Sequence, residues 1–160
     1  MNDYVIGVIS DTHDNLTTVT KAITIFNQNQ VKLVIHCGDY VAPFTLRMFK
    51  DLNCPLIGVL GNCDGEVEYL LKTAFELNFS IYHPPYTLTI NNRKLIITHK
   101  PIRIDQPCDI YLYGHTHTPE ISMRNNQLIV NPGEACGWLF YKPSIALINL
   151  NEFSGEIINL

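Results

Sequence analysis

Three times in the first half of the chain, a short apolar run gives way to a polar loop and then to an amphipathic segment. A strand covered on both faces reads as an unbroken apolar run, and a crossover helix as apolar residues at i, i+3, i+4 and i+7. The alternation therefore specifies parallel strands joined by helices. Tyr4 to Ile9 is the first strand, and Val19, Ala22, Ile23 and Phe26 mark the helical face that follows. Val31 to Ile35 is the second strand. Pro43, whose missing N–H needs no partner in a first helical turn, opens a short helix to about Lys50. Leu56 to Leu60 is the third strand, and Val67, Leu70, Leu71 and Ala74 line the helix after it.

The second half turns to β structure. Thr87 to Ile90 and Leu95 to Thr98 flank Asn91-Asn92, a hairpin turn in which asparagine tolerates positive φ. Ile110 to Tyr113, Leu128 to Val130, Ser144 to Leu150 and Glu156 to Leu160 are further strands, the last two tying the tail to the core. No Gly/Ser-rich linker or internal repeat divides the 160 residues, a length that suits one core and is short for two. The expected architecture is one α/β domain over residues 1–160, two-layered or sandwiched.

Composition narrows the partners. With 46% hydrophobic and 16% charged residues the chain is neither disordered nor a coiled coil, and a net charge of −4 gives no general attraction for nucleic acid. Five cysteines without a CxxC pair point to a reducing compartment, with the cytoplasm as the default. Residues 1–9, MNDYVIGVI, carry an acid and run into a polar stretch, so they read as neither a signal peptide nor a membrane span.

The polar residues just beyond the strands carry the chemistry. Asp11 and His13 follow the first strand, Asp39 the second and Asn62 the third; His99 follows Leu95 to Thr98, and His115 and His117 follow Ile110 to Tyr113. In open α/β folds the crevice beyond the carboxyl ends of the strands is the usual site, because the sheet fixes positions while loops supply polar groups. Two carboxylates, four imidazoles and an amide form a hard-to-borderline ligand set suited to manganese, iron, zinc, nickel or magnesium, with room for two ions. Taken alone, Asp11-Thr12-His13 reads first as a surface or helix-capping loop, whereas two imidazoles two positions apart in Gly114-His115-Thr116-His117 are harder to dismiss. His36 and His83 lack such partners and read as structural or surface residues. Cys37 and Cys63 flank the ligands as packing groups, with thiolate coordination as the minor reading.

In five ordered blocks the chain resembles the calcineurin-like metallophosphoesterases, and in particular their small single-domain bacterial and archaeal phosphodiesterases. The blocks are Asp11-Thr12-His13, Gly38-Asp39, Gly61-Asn62-Cys63-Asp64, Thr98-His99 and Gly114-His115-Thr116-His117, followed by Asn131-Pro132-Gly133. The resemblance implies a β-sandwich of mixed sheets flanked by helices. It implies that Asp11, His13 and His117 hold a first ion, that Asn62, His99 and His115 hold a second, and that Asp39 bridges them. Asp39, Asn62 and His99 would then be the catalytic set. The implied cofactor is a pair of divalent ions, Mn2+ first, with Fe, Ni, Co, Zn or Mg as alternatives, and the implied reaction is attack of metal-bound hydroxide on a small phosphodiester. A phosphomonoester substrate is one alternative.

Two positions depart from the resembling pattern. Cys63 stands where broader relatives place a histidine that protonates the leaving group, and Lys100-Pro101 stand where Gly-His usually follows the matching histidine. Lys100 either points to solvent or sets a cation beside the phosphoryl group. Asp64 is expected to orient an imidazole or constrain its loop, Asp14 and Asn15 are rival helix caps, Asn131-Pro132-Gly133 is expected to shape the cleft wall, and the acidic charge of the nearby Glu134 is expected to disfavour highly charged substrates. The chain has no GxxxxGK[ST] loop, and His13 occupies the third position where a haloacid-dehalogenase signature has Asp. The competing class is a non-catalytic protein-interaction scaffold on the same fold; the resembling retromer subunit departs at the positions of His13 and His99, both present here. Tyr82, Tyr86, Tyr111, Tyr113, Trp138, Phe140 and Tyr141 serve either a binding surface, including a homo-oligomer contact, or the core.

Overall fold

In a computed structural model that describes residues 3–160, the chain runs β1 (Val5–Ile9), α1 (Leu16–Gln28), β2 (Leu33–His36), α2 (Pro43–Met48), β3 (Leu56–Val59), α3 (Val67–Glu76) and β4 (Ser80–Tyr82). It continues through β5 (Tyr86–Ile90), β6 (Arg93–Ile97), β7 (Ile110–Leu112), β8 (Glu120–Arg124), β9 (Gln127–Asn131), β10 (Ser144–Asn149) and β11 (Ser154–Asn159). One sheet has the order β11-β10-β1-β2-β3-β4, and the other β5-β6-β7-β9-β8. Strands β1 to β4 are parallel, as are β6, β7 and β9, while β10, β11, β5 and β8 pair antiparallel, so both sheets are mixed.

Alternation along β1 assigns its two faces. Ile6 and Val8 point between the sheets, where they meet Leu95, Ile97, Leu112 and Val130; Ile9 points outward into the helical layer with Val19, Ile23, Phe26 and Leu46. All four residues of the first helical stripe are buried, and Asn91 and Asn92 turn the β5–β6 hairpin at φ 48° and 61°. Asn15 caps α1 by accepting the Thr18 N–H, whereas Asp14 accepts from the Ala42 N–H and the Thr45 hydroxyl and so ties that loop to the start of α2. Strands β4 and β8 escape the sequence reading: β4 is only three residues long, and β8 (EISMR) carries polar residues at every second position in place of an apolar run. No helix among the described residues is long and apolar enough to cross a membrane.

His36, at the end of β2, belongs to the scaffold. Its ring is wholly buried, stacks on Tyr40 at 3.7 Å and meets the edge of Phe49; Nδ1 accepts the Gly38 N–H, and Nε2 donates to the Thr12 hydroxyl. Burial drives its pKa from near 6.5 down to about 3, so the folded protein keeps it neutral. Below about pH 6.5 the unfolded chain takes up a proton here that the folded chain refuses until about pH 3, so stability held above that window is lost as the pH falls through it. Relative to wild type, His36→Gln should flatten the fall in unfolding free energy between about pH 6 and 4 by roughly 1.4 kcal/mol per pH unit, read by urea denaturation. Parallel curves for the two proteins would exclude His36 as an acid-sensitive group.

Candidate metal centre

The carboxyl ends of the parallel strands of both sheets meet at one edge of the sandwich, and six loops converge there. Several of their residues sit at positive φ: Asp11 at 53°, His13 at 36°, Asp39 at 61°, His115 at 66° and His117 at 59°. Such conformations are costly for residues other than glycine and persist only where surrounding contacts enforce them.

The two carboxylates are built alike. Asp11 Oδ2 accepts from the Ser10 hydroxyl at 2.5 Å and from the His115 N–H at 3.0 Å, leaving Oδ1 to face the cluster. Asp39 Oδ1 accepts the Cys63 N–H at 2.8 Å, leaving Oδ2 to face His13 Nε2 at 3.4 Å and His99 Nε2 at 3.3 Å. Each thus spends one oxygen on anchorage and presents the other. Gly61 and Gly114 permit this approach: a Cβ at Gly61 would collide with Asp39 Oδ1, and a Cβ at Gly114 would collide with the Ser10 hydroxyl and come within 2.7 Å of Asp11 Oδ2.

The imidazoles are held from behind. His99 Nδ1 donates to the Cys37 carbonyl at 2.8 Å, and His117 Nδ1 to Glu134 Oε2 at 2.7 Å; neither acceptor has a proton to give, so both rings turn Nε2 toward the cluster. His117 Nε2 lies 3.3 Å and His13 Nε2 3.7 Å from Asp11 Oδ1. Despite this proximity, Asp11 Oδ1 and His13 Nε2 are buried without a hydrogen-bond partner. Ligands sharing one ion at about 2.1 Å, with angles between octahedral and tetrahedral, stand about 3.0–3.4 Å apart and aim at a common point rather than at each other. The orphaned atoms and these separations fit a cation. Ligand atoms of Asp11, His13 and His117 lie within 4.8 Å of one another, as do those of Asp11, Asp39 and His99. Asn62 is exposed and joins through Oδ1, 3.1 Å from His99 Nε2. His115 stands further out, its ring edge-on to His99 at 5.1 Å.

Charge follows the same pattern. Burial alone would raise Asp11, but His117, His13 and Ser10 hold it far below the usual carboxylate range; Asp39 is likewise lowered against its burial by His99 and the Cys63 N–H. His117 is raised to about 9 by Asp11, against burial and with help from Glu134. A proton held that firmly between carboxylates marks a position where a divalent cation can replace it. His115 is lowered by burial and then by the nearby charges of His99 and Lys100.

Asp64 constrains its loop rather than an imidazole: its carboxylate accepts the N–H groups of Gly61 at 2.6 Å, Val41 at 2.8 Å and Asp39 at 3.3 Å. Cys63 presents its thiol beside the cluster, 3.2 Å from Asn62 Nδ2, and desolvation followed by Asp39 pushes it up to about 11, so it stays protonated at neutral pH. Asn131 braces the histidine loop by donating to the Gly114 carbonyl and the Thr116 hydroxyl.

Glu134 differs from its sequence reading. Its charge does not face an incoming substrate: it is buried and accepts from the N–H groups of Leu139 and Phe140 as well as from His117. The signal available was its place just beyond a strand end, shared with the other cluster residues. His83 is exposed, in keeping with its surface reading, and borders a cleft beside Asn62, His99 and Lys100. Among the aromatics, Tyr111 and Tyr113 are buried and stacked at 5.4 Å, and Tyr82 stacks on Tyr86 at 3.8 Å; Trp138, Phe140 and Tyr141 are exposed.

Residues 5–152 match the calcineurin-like phosphoesterase superfamily domain. Phosphodiesterase MJ0936 of Methanocaldococcus jannaschii is 38% identical over 155 residues, covering 92% of this chain and 93% of that protein. A solved archaeal phosphodiesterase superposes with a TM-score of 0.92 at 35% identity, over 98% of this chain and 99% of that one. Zinc-complexed Vps29 from Entamoeba histolytica shares the fold at a TM-score of 0.68 and 18% identity, over 98% of both chains. With the domain match spanning nearly every strand and all six loops of the cluster, the chain belongs to the calcineurin-like phosphoesterase superfamily.

Proposed function

We propose that residues 1–160 act as one metal-dependent phosphoesterase domain that hydrolyses small phosphodiesters. The observation that carries this reading is the convergence of buried, unpartnered ligand atoms, Asp11 Oδ1 and His13 Nε2, with the inward-facing nitrogens of His99 and His117. Asp11, His13 and His117 would hold one divalent ion and Asn62, His99 and His115 a second, with Asp39 between them; Mn2+ is the first candidate, and Fe, Ni, Co, Zn or Mg the alternatives. Such a pair, when bound, supplies positive charge that polarises phosphoryl oxygens and acidifies water.

The chain's own residues then have separable tasks. Asp39, Asn62 and His99 form the catalytic set, Asp39 and His99 buried and Asn62 exposed beside the cleft. Water is the nucleophile in this reading, because both thiols near the cluster are held protonated, Cys63 by desolvation and Asp39, and the buried Cys136 by desolvation and Glu134. Asp64 and Glu134 act from behind, the first on the backbone around Asp39 and Gly61, the second on His117. The reducing cytoplasm is the proposed compartment, on the strength of five unpaired cysteines.

Reconstituted with Mn2+, the protein should hydrolyse bis(p-nitrophenyl) phosphate. Asp39→Asn should lose about 100-fold or more in kcat/KM, while Cys63→Ser stays within about threefold. Rates measured alongside metal content decide the matter: an equal loss in folded Cys63→Ser restores a direct role to the thiol, and no turnover at verified two-ion occupancy favours a scaffold. Faster turnover of p-nitrophenyl phosphate would make the protein a phosphomonoesterase.

Glu134→Gln keeps an acceptor for the Leu139 and Phe140 amides but removes the negative charge behind His117. Mn2+ affinity measured by calorimetry should fall about 10- to 100-fold without loss of fold. Unchanged affinity would reduce Glu134 to a loop anchor.

A further inference from the structure

Beside the cluster lies a cleft of ≈ 430 Å³ that reaches Asn62 and His99 at one end. Its volume falls within the range of small-molecule sites, and its remaining wall is mainly apolar, with Val67, Pro84, Pro85 and Ile102. Lys100 lies on the same wall, immediately after His99.

The walls are braced from both sides. The Thr98 hydroxyl donates to the Lys100 carbonyl at 3.0 Å, and the Ile102 N–H donates to the hydroxyl of buried Tyr111 at 2.9 Å, so the chain is pinned on either side of Pro101. Opposite in sequence, His83-Pro84-Pro85 is bracketed by the parallel rings of Tyr82 and Tyr86, 3.8 Å apart, and the Leu60 N–H donates to the Tyr82 carbonyl at 2.9 Å. A site fixed before binding loses little entropy when a ligand enters. A second cleft of ≈ 400 Å³, around Phe44 and Tyr69, is also apolar but contains none of the cluster residues.

We propose that the cleft beside Asn62 and His99 receives an aromatic ester arm of the phosphodiester, with Ile102, Pro84 and Pro85 against the ring and Lys100 beside the phosphoryl charge. This rests on the phosphoesterase reading and narrows its substrates to aryl and heteroaryl phosphodiesters. The two proline rings and the isoleucine offer rigid apolar faces suited to a flat ring, and away from Asn62, His99 and Lys100 the polar side chains on the lining are those of His83 and Thr98, so a hydroxyl-rich arm would find few partners there. Lys100 supplies one positive charge, matching the single negative charge of a phosphodiester.

Benzylphosphonate and ethylphosphonate, whose P–C bonds resist hydrolysis, provide the test, because the first is shaped like a phenyl ester and the second lacks the ring. Calorimetric titration of the Mn2+-loaded protein should show benzylphosphonate binding about tenfold tighter. Ile102→Ser, a change at a side chain 43% exposed, should cut that preference to about threefold or less and leave ethylphosphonate affinity unchanged. Lys100→Ala should weaken both ligands by a similar factor; no weakening removes Lys100 from the phosphoryl group. Equal binding of the two ligands by wild type, or a preference untouched by Ile102→Ser, overturns the assignment. If bis(p-nitrophenyl) phosphate is still hydrolysed in that case, only this inference falls. If neither phosphonate binds and no diester is hydrolysed, the phosphoesterase reading falls with it.

Discussion

Two buried carboxylates, Asp11 and Asp39, stand at the ends of neighbouring parallel strands with ligand atoms within 4.8 Å of each other. Two unit negative charges at that distance repel by roughly 3.5 kcal/mol at an effective dielectric of about 20, before the penalty for taking them out of water. The surrounding imidazoles answer this repulsion: His13 and His117 approach Asp11, and His13 and His99 approach Asp39. The loops after β1, β2, β6 and β7 are thereby committed to one arrangement, since withdrawing any of them leaves negative charge uncompensated. The sandwich brings six strand ends to one edge, and the charge balance at that edge decides what those ends carry.

A set of indirect contacts keeps the arrangement in place. The Asp64 carboxylate gathers three backbone N–H groups from the loops after β2 and β3, and one of them belongs to Val41, a β-branched residue at φ 81°. Burial raises the pKa of Asp64 even though it accepts these bonds. Glu134 does the equivalent on the other sheet, joining His117 to the segment that carries Leu139 and Phe140, while Trp138 Nε1 donates to the His13 carbonyl. The exposed aromatic segment after β9 is therefore fastened to two of the histidines facing Asp11.

Much of this was legible in the sequence, because two periodicities carry it. Period-3.6 stripes located α1 and α3, and apolar runs located the central strands, at whose ends the polar residues fall in order. Strands β4 and β8 were not legible, β4 because three residues make too short a run and β8 because Glu120, Ser122 and Arg124 interrupt its apolar residues, whereas the edge strands β5 and β11 keep enough apolar positions to be read. The position of Asp64 left open whether it orients an imidazole or constrains its loop; its carboxylate accepts only from backbone N–H groups. Glu134 was misjudged for a different reason. Whether a carboxylate faces an incoming substrate or stands behind a histidine depends on how residues 138–141 fold back, and local sequence carries no sign of that return. His83 is a surface residue as its sequence implied, and it borders the cleft because the β3–β4 pairing sets Tyr82 beside Leu60.

The left-handed backbone at Asp11, His13, Asp39, His115 and His117 sets local ease of folding against chemistry. At each of these positions glycine would adopt the same angles at lower energy, and at the two aspartates it would also remove the mutual repulsion. Substitutions that relax this edge of the sandwich are the ones that strip it of ligands. A search for hardier variants of this chain by thermal selection alone would drift toward an inert sandwich, whereas selection on turnover would preserve the strained loops and place its stabilising changes elsewhere, in the helices and outer strands.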